Sequence, residues 1–147
     1  MTSTPRSSDL IAALAAIVGA EQVLTTAADT APYLSDWRGR YRGAARCVVR
    51  PANTAEVAAV VRACAAAGVP MLPQGGNTSL CGAATPDTGG DAVLISLARL
   101  KRIFTVDAEN DTICVGAGCT LAEVQAAARA AGRLFPLALA SEGSCQI

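Results

Sequence analysis

The segment PQGGNTSL, residues 73–80, sets two adjacent glycines and three hydrogen-bonding residues between two apolar runs typical of strands. Adjacent glycines permit positive φ and let the backbone approach a ligand without an intervening Cβ. Asn77 tolerates left-handed backbone, and Thr78 and Ser79 add hydroxyl donors. This pattern suits a concave nest of backbone N–H groups around an anion such as a diphosphate.

Two better-known phosphate loops are excluded by the same segment. A Walker loop requires G-x-x-x-x-G-K-[ST], and no lysine lies near these glycines. A dinucleotide fingerprint requires G-x-G-x-x-G at the start of a helix, whereas Gly75 and Gly76 are adjacent and a strand-like run follows. Two interpretations remain open from the residues alone, an anion nest and an ordinary glycine turn.

The 147-residue sequence contains no histidine, and its 12 basic residues balance its 12 acidic ones. The commonest general base near neutral pH and the commonest metal ligand are therefore missing. Any chemistry must use carboxylates, thiols, tyrosines or a cofactor, and we predict no catalytic residue and no metal ligand on this chain. The charge balance also gives no indication of nucleic-acid binding.

The six cysteines include no C-x-x-C pair. Cys47 and Cys114 lie in strand-like runs, and Cys64 lies on the apolar face of a predicted helix. We therefore expect free thiols that act as small hydrophobic side chains. A reducing, cytoplasmic location fits this expectation.

The apolar run at residues 10–20, LIAALAAIVGA, superficially resembles a secretion signal. Its large apolar residues nevertheless recur at helical spacing after Ser8 and Asp9, which predicts an amphipathic helix packed on the domain. The run is also too short to cross a bilayer.

Capping-box spacing marks two further helices. Asn53 precedes Glu56 by three residues, and Thr120 precedes Glu123 by three. Strand-like runs at 46–50 and 69–73 flank the first of these helices, which predicts a parallel strand–helix–strand unit with a right-handed crossover.

The runs at 92–97, 103–107 and 112–118 follow one another closely, which predicts an antiparallel meander. The fold class is therefore α+β, in two small lobes. A βαβ-containing parallel-sheet lobe is followed by the start of a mostly antiparallel lobe.

Residues 33–46 concentrate arginines and three aromatic residues in a glycine-containing segment. One interpretation is a solvated surface loop held by aromatic anchors. The other is a lid or rim for an anionic ligand, because guanidinium groups suit carboxylate and phosphate. The sequence leaves both open.

Several stretches, in order along the chain, carry a family resemblance. PQGGNTSLCGA (73–83) resembles the pyrophosphate loop of FAD-linked oxidoreductases of the vanillyl-alcohol oxidase and p-cresol methylhydroxylase type. The stretch at 36–64 is similar to the approach to that loop, and LISLARLKRI (94–103) to the segment after it. VGAGCTLAEVQAAA (115–128) is similar to the strand and helix that follow, and FPLALASEGSCQI (135–147) to the flavin-contacting loop. Together they most resemble the D-2-hydroxyglutarate and D-lactate dehydrogenase branch.

The resemblance implies a cofactor, FAD, and the residues that bind it. These are Pro73, Gln74, Gly75, Gly76, Asn77, Thr78, Ser79, Gly82, Pro136, Leu137, Gly143, Ser144 and Ile147. Residues 73–83 are called the glycine loop below. Some relatives attach FAD covalently through a histidine in this loop. Asn77 stands at that place here, so we expect FAD to be bound non-covalently.

The resemblance also implies a division into an N-terminal helix and Arg/aromatic loop (1–42) and an FAD-binding domain (43–147), incomplete at its C-terminus. The expected function is the FAD-binding portion of an oxidoreductase that oxidises a D-2-hydroxy acid by hydride transfer to flavin N5 in a longer chain. Turnover, and the small 2-hydroxy acid substrate, would need that longer chain.

Two alternatives remain. One is another oxidase or reductase of the same fold, and the other is a truncated, non-catalytic nucleotide-binding or interaction fragment. A piece of a larger domain would expose apolar faces and could self-associate.

Overall fold

The computed structural model describes residues 7–147, which form a four-stranded sheet, a two-stranded sheet and four α-helices. In chain order the helices and strands are α1 (Ser7–Val18), β1 (Val23–Leu24), α2 (Ala27–Thr30), β2 (Cys47–Val49), α3 (Thr54–Ala66), β3 (Met71–Gln74), β4 (Val93–Ser96), β5 (Ile103–Asp107), β6 (Thr112–Val115) and α4 (Leu121–Ala130). The mixed α+β class predicted from the sequence is confirmed.

The larger sheet has the strand order β1-β2-β4-β3. The strands predicted on either side of α3 are parallel, yet they do not pair with each other, because β4 lies between them and pairs in parallel with both. The prediction of a three-stranded antiparallel meander is therefore wrong for its first strand, at residues 92–97. β4 belongs to the parallel sheet, and only β5 and β6 pair antiparallel.

The error has a physical cause. The chain between β3 and β4 is an irregular segment that contains the glycine loop, and the short gap between β4 and β5 suggested a hairpin that does not form. β1 was not predicted at all. It is a two-residue edge strand antiparallel to β2, with Val23 opposite Val49, and two residues carry no readable alternation.

The main core lies between the larger sheet and helices α1 and α3. Leu10, Leu14 and Val18 of α1 are buried there together with Val60 and Cys64 of α3. The helix predicted in the N-terminal apolar run is therefore confirmed. The division between 1–42 and 43–147 stays a prediction, although α1 and β1 both pack on elements of the second segment.

All six cysteines lie within the described residues and are free. Burial raises the pKa of the Cys47 thiol to about 11, and the neighbouring Cys64 thiol adds to the rise. Burial also raises the pKa of Cys64. These two thiols are core side chains, as predicted, whereas Cys81 and Cys114 are exposed.

Both predicted helix caps form, with one difference. At α4 the Thr120 hydroxyl accepts from the Glu123 N–H, and the Glu123 carboxylate accepts from the Thr120 N–H at 2.6 Å. At α3 the Asn53 side chain accepts from the Glu56 N–H at 2.9 Å, but the Glu56 carboxylate accepts from the N–H of Ala52 rather than that of Asn53. No helix within residues 7–147 has the length and apolar character needed to cross a membrane.

Candidate functional site

The glycine loop leaves β3 at the carboxyl end of a parallel strand and enters a stretch without regular structure. None of the backbone N–H groups from Gly75 to Leu80 donates a hydrogen bond to any residue between 7 and 147. Gly76, Asn77, Thr78 and Leu80 line a cavity of about 1020 Å³. The loop therefore combines unused donors with a hollow beside them, which a plain hydrogen-bonded turn does not.

Positive φ occurs in this loop at Asn77 (53°) and Gly82 (74°), and at neither of the adjacent glycines. The expectation that the glycine pair supplies left-handed backbone is wrong. The expectation that Asn77 tolerates it is confirmed.

Gly76 is required for a close approach between two chain segments. A Cβ on Gly76 would overlap the backbone carbonyl of Ser144, whereas a Cβ on Gly75 would lie 3.4 Å from the Cβ of Gln146, an ordinary contact. The absent side chain of Gly76 therefore makes room for the C-terminal segment. The approach of the backbone to a ligand stays a prediction.

Helix α4 holds that C-terminal segment in place. The N–H groups of Leu121 and Ala122, in the first turn, donate to the carbonyls of Cys145 (3.0 Å) and Glu142 (2.9 Å). These donors have no partner inside a helix, so the segment satisfies them. The N–H of Ile147 donates to the carbonyl of Cys119, which extends the attachment to the residue before the cap.

The Arg/aromatic loop, residues 33–46, is fastened to the glycine loop by side-chain amides. The buried Gln74 donates from Nε2 to the carbonyls of Tyr33 (2.9 Å) and Ala84 (2.7 Å). Asn77 donates from Nδ2 to the carbonyl of Ser35 at 2.8 Å. The segment from Ser35 therefore forms one wall of the cavity.

Aromatic anchors account for only part of this segment. Tyr41 packs its ring where a Cβ on Gly82 would sit, which agrees with the anchoring interpretation. Trp37, in contrast, is 65% exposed and lines the cavity, with the Arg38 guanidinium 4.9 Å from its ring centroid.

Asp36 shapes the turn that carries Trp37 and Arg38. Its carboxylate accepts the N–H of Tyr41 at 2.8 Å and the N–H of Arg38 at 3.3 Å. The Tyr41 hydrogen bond is the largest cause that holds the pKa of Asp36 below its ordinary value. The carboxylate is therefore occupied by the loop's own backbone.

The structure brings together only some of the residues predicted to bind a cofactor. Of these, Gly76, Asn77, Thr78 and Ser144 line the cavity. The others do not line it, namely Pro73, Gln74, Gly75, Ser79, Gly82, Pro136, Leu137, Gly143 and Ile147. Their roles in binding a cofactor stay predictions.

Sequence reasoning passed over several cavity residues. The lining also includes Ala31, Pro32, Ser35, Asp36, Trp37, Arg38, Leu80, Leu139, Ala140 and Ser141. The arginines and aromatic residues of the loop were the available signal for part of this set. Nothing in the sequence placed the loop against the glycine segment. Among the described residues there is no cluster of three or more His, Cys, Asp or Glu side chains suited to a metal.

The structure is an α+β domain with parallel and antiparallel sheets, and its loop of unused N–H groups at a strand end is a donor set suited to an anion such as a nucleotide diphosphate. A sequence model described as an FAD binding domain matches residues 45–147. The chain belongs to this FAD-binding domain family, and FAD is its cofactor.

Curated relatives agree with this assignment. A probable mitochondrial D-2-hydroxyglutarate dehydrogenase of Oryza sativa subsp. indica is 37% identical over 76% of this chain and 20% of its own length. The mitochondrial D-2-hydroxyglutarate dehydrogenase of Bos taurus is 32% identical over 96% of this chain and 25% of its own length. A D-2-hydroxyglutarate dehydrogenase of Xanthomonas citri pv. viticola is 36% identical over 93% of this chain and 29% of its own length. The chain thus spans less than a third of these relatives.

Solved structures show the same fold at lower identity. An alkyldihydroxyacetonephosphate synthase superposes with a TM-score of 0.85 at 18% identity, over 99% of this chain and 29% of its own. A p-cresol methylhydroxylase superposes with a TM-score of 0.78 at 20% identity, over 95% of this chain and 28% of its own.

The residues present fit the anionic part of FAD. Consecutive free N–H groups next to a cavity are the donor set that a diphosphate accepts from. The buried side-chain oxygens of Asn77 and Gln146 also lack a donor among residues 7–147. The glycine loop therefore has free N–H donors, one unpaired acceptor oxygen of its own on Asn77, and a second one beside it on Gln146.

Proposed function

We propose that this chain is the FAD-binding part of an oxidoreductase that oxidises a D-2-hydroxy acid. The relatives named D-2-hydroxyglutarate dehydrogenase support the substrate class. Because the chain spans 20% to 29% of those proteins, the oxidation would belong to the whole protein of which this sequence forms a part.

The observation that carries the proposal is the run of unused N–H groups from Gly75 to Leu80 beside the cavity. Each hydrogen bond from such a group to a charged oxygen contributes about 1.5–3 kcal/mol. Several of them together can hold a diphosphate without a lysine. When bound, FAD supplies the redox chemistry, and the protein supplies binding and orientation.

We also propose that attachment is non-covalent. Asn77 stands where the family resemblance places the histidine that some relatives use for attachment, and its Nδ2 is already bonded to Ser35. An amide is not a nucleophile that could form such a bond. Asn77 therefore orders the loop instead of carrying the cofactor.

FAD retention by the 147-residue chain tests the binding proposal. The purified protein is incubated with FAD, desalted and examined by absorbance, and then precipitated with acid. A retained flavin spectrum with all flavin released into the acid supernatant is the expected result. Absence of retention contradicts cofactor binding by this chain, and flavin that stays in the pellet contradicts non-covalent attachment.

The substrate class is tested with a protein that contains this chain and extends to the length of the relatives. Flavin reduction under anaerobic conditions is compared for D-2-hydroxyglutarate, D-lactate and their L-enantiomers. Rapid bleaching by a D-acid alone is the expected result. Reduction by a phenolic alcohol and by neither D-acid would replace this proposal with another oxidase reaction of the same fold.

Two further proposals concern the state of the chain. We propose that the 147-residue chain self-associates, because its C-terminal segment exposes several apolar side chains, Leu134, Leu137, Leu139 and Ile147. We also propose a reducing compartment, which the free thiols support. The compartment we propose is the cytoplasm, whereas the rice and cattle relatives are named as mitochondrial proteins.

A further inference from the structure

The cavity beside the glycine loop is lined by one positively charged side chain among the described residues, that of Arg38. The single carboxylate in the lining belongs to Asp36, and it is occupied by backbone N–H groups of its own loop. The remaining lining residues are apolar or uncharged. Arg38 is therefore the one cation that an incoming anion would meet in this lining, next to the ionised carboxylate of Asp36, whose oxygens accept from the loop's own backbone.

Arg38 is held at the cavity wall from two directions. Its own N–H donates to the Asp36 carboxylate, which sets its place in the turn. Its guanidinium lies over the ring of Trp37 at 4.9 Å, which limits the positions that the long side chain can reach.

The wall itself is tied to the glycine loop through side chains other than that of Arg38. Asn77 binds the carbonyl of Ser35, three residues before Arg38, and Gln74 binds the carbonyl of Tyr33. Arg38 and the segment from Gly76 to Thr78, whose N–H groups are unused, therefore line the same cavity.

We propose that Arg38 is a further cofactor-binding residue, which binds the diphosphate of FAD together with the N–H groups of the glycine loop and so acts as a clamp. A Walker loop uses a lysine for this purpose, and no lysine lies near the glycine loop. A guanidinium suits the role because its fork of N–H donors matches phosphate geometry. The inference rests on the proposed FAD binding and adds the group that supplies its charge.

Arg40 offers a matched control. It lies in the same loop, is exposed like Arg38, and does not line the cavity. Arg38→Gln and Arg40→Gln remove the same charge from the same loop. A general effect of net charge would weaken FAD binding equally in both variants, whereas a clamp affects only the first.

The experiment measures FAD dissociation constants of the 147-residue chain by flavin fluorescence at about 20 mM and about 500 mM salt. We expect Arg38→Gln to weaken binding about three- to tenfold at low salt and less at high salt, because a charged contact is screened. Arg40→Gln should stay within about twofold of the unmodified chain, and Arg38→Lys should recover part of the loss.

The outcomes separate this inference from the proposed function. If the unmodified chain binds no FAD, the proposed function falls and the clamp falls with it. If it binds FAD and Arg38→Gln matches Arg40→Gln, only the clamp is overturned. A loss in Arg38→Gln that is independent of salt also overturns the clamp, because the contact would then not be electrostatic.

Discussion

At the scale of single residues, the two glycines of the loop have different surroundings. Gly76 faces the carbonyl of Ser144 at a distance that excludes a side chain, and Gly75 has ordinary space. Neither has positive φ, so the conformational freedom of glycine is not what the loop uses here. The glycine loop and the C-terminal segment approach each other closely at Gly76, so a substitution should be tolerated at Gly75 and not at Gly76.

Gly76→Ala should separate the glycine loop from the C-terminal segment. We expect it to lower the free energy of unfolding by about 1–3 kcal/mol, as other overpacked sites do, and to weaken FAD binding about tenfold or more. Gly75→Ala is the control, and it should change the unfolding free energy by less than about 1 kcal/mol. Urea unfolding and flavin titration measure both. Equal effects of the two substitutions would show that the Ser144 contact has no special role.

Asp36→Asn should change how stability depends on pH. The folded-state pKa of Asp36 lies below its unfolded value, so its ionised form favours the folded state. This contribution is present above the unfolded value, near 3.8, and is lost as pH falls through the folded pKa. Urea unfolding at about pH 7 and about pH 3 should show a stability gap between the two proteins that shrinks in acid. A gap of the same size at both pH values would contradict this.

At the scale of elements, α4 is the support of the C-terminal half of the site. Its capping box orders the first turn, and the next two N–H groups bind the carbonyls of Cys145 and Glu142. Helix α3 is also capped, at Asn53, but its buried residues Val60 and Cys64 belong to the main core. Loss of the α3 cap should therefore affect the main core alone, whereas loss of the α4 cap should also affect the C-terminal segment beside the cavity.

Thr120→Ala removes the α4 cap and should cost about 1 kcal/mol of stability. Because the same turn holds the 141–147 segment, FAD binding should weaken as well. Asn53→Ala should cost a similar amount of stability and leave FAD affinity unchanged. Thermal unfolding and flavin titration measure the two quantities separately. If both variants weaken FAD binding alike, the effect follows general stability and not the placement of the C-terminal segment.

At the scale of the whole molecule, the exposed apolar side chains near the C-terminus are unusual for a surface. Leu134 is 78% exposed, and Leu137, Leu139 and Ile147 are exposed as well. The relatives are more than three times as long as this chain. Several exposed apolar side chains in one segment are typical of a contact surface.

Leu134→Glu combined with Leu137→Glu should reduce self-association of the 147-residue chain, since charge on an apolar contact surface opposes burial. Val61→Glu is the control, because Val61 is also exposed but lies on α3. Sedimentation velocity over a range of concentrations measures the change. A chain that is monomeric throughout would contradict the proposal, and so would equal effects of the paired and control substitutions.

The sequence by itself determined the elements that depend on neighbours along the chain. The caps at Asn53 and Thr120, the helices that follow them and strand β5 lie where local spacing predicted them. The family assignment also followed from short motifs in order, and the FAD-binding domain match confirmed it.

Only the tertiary structure decided what depends on distant contacts. Strand β4 enters between β2 and β3, and nothing in its four residues states which strands it will pair with. The approach of Gly76 to Ser144 and the attachment of the Ser35 carbonyl to Asn77 join residues 68 and 42 positions apart. Local patterns report propensity and burial, whereas these contacts are selected by the packing of the whole chain. The sequence offered a rim for an anionic ligand as one of two interpretations of residues 33–46, and only the fold placed Arg38 at the cavity beside the glycine loop.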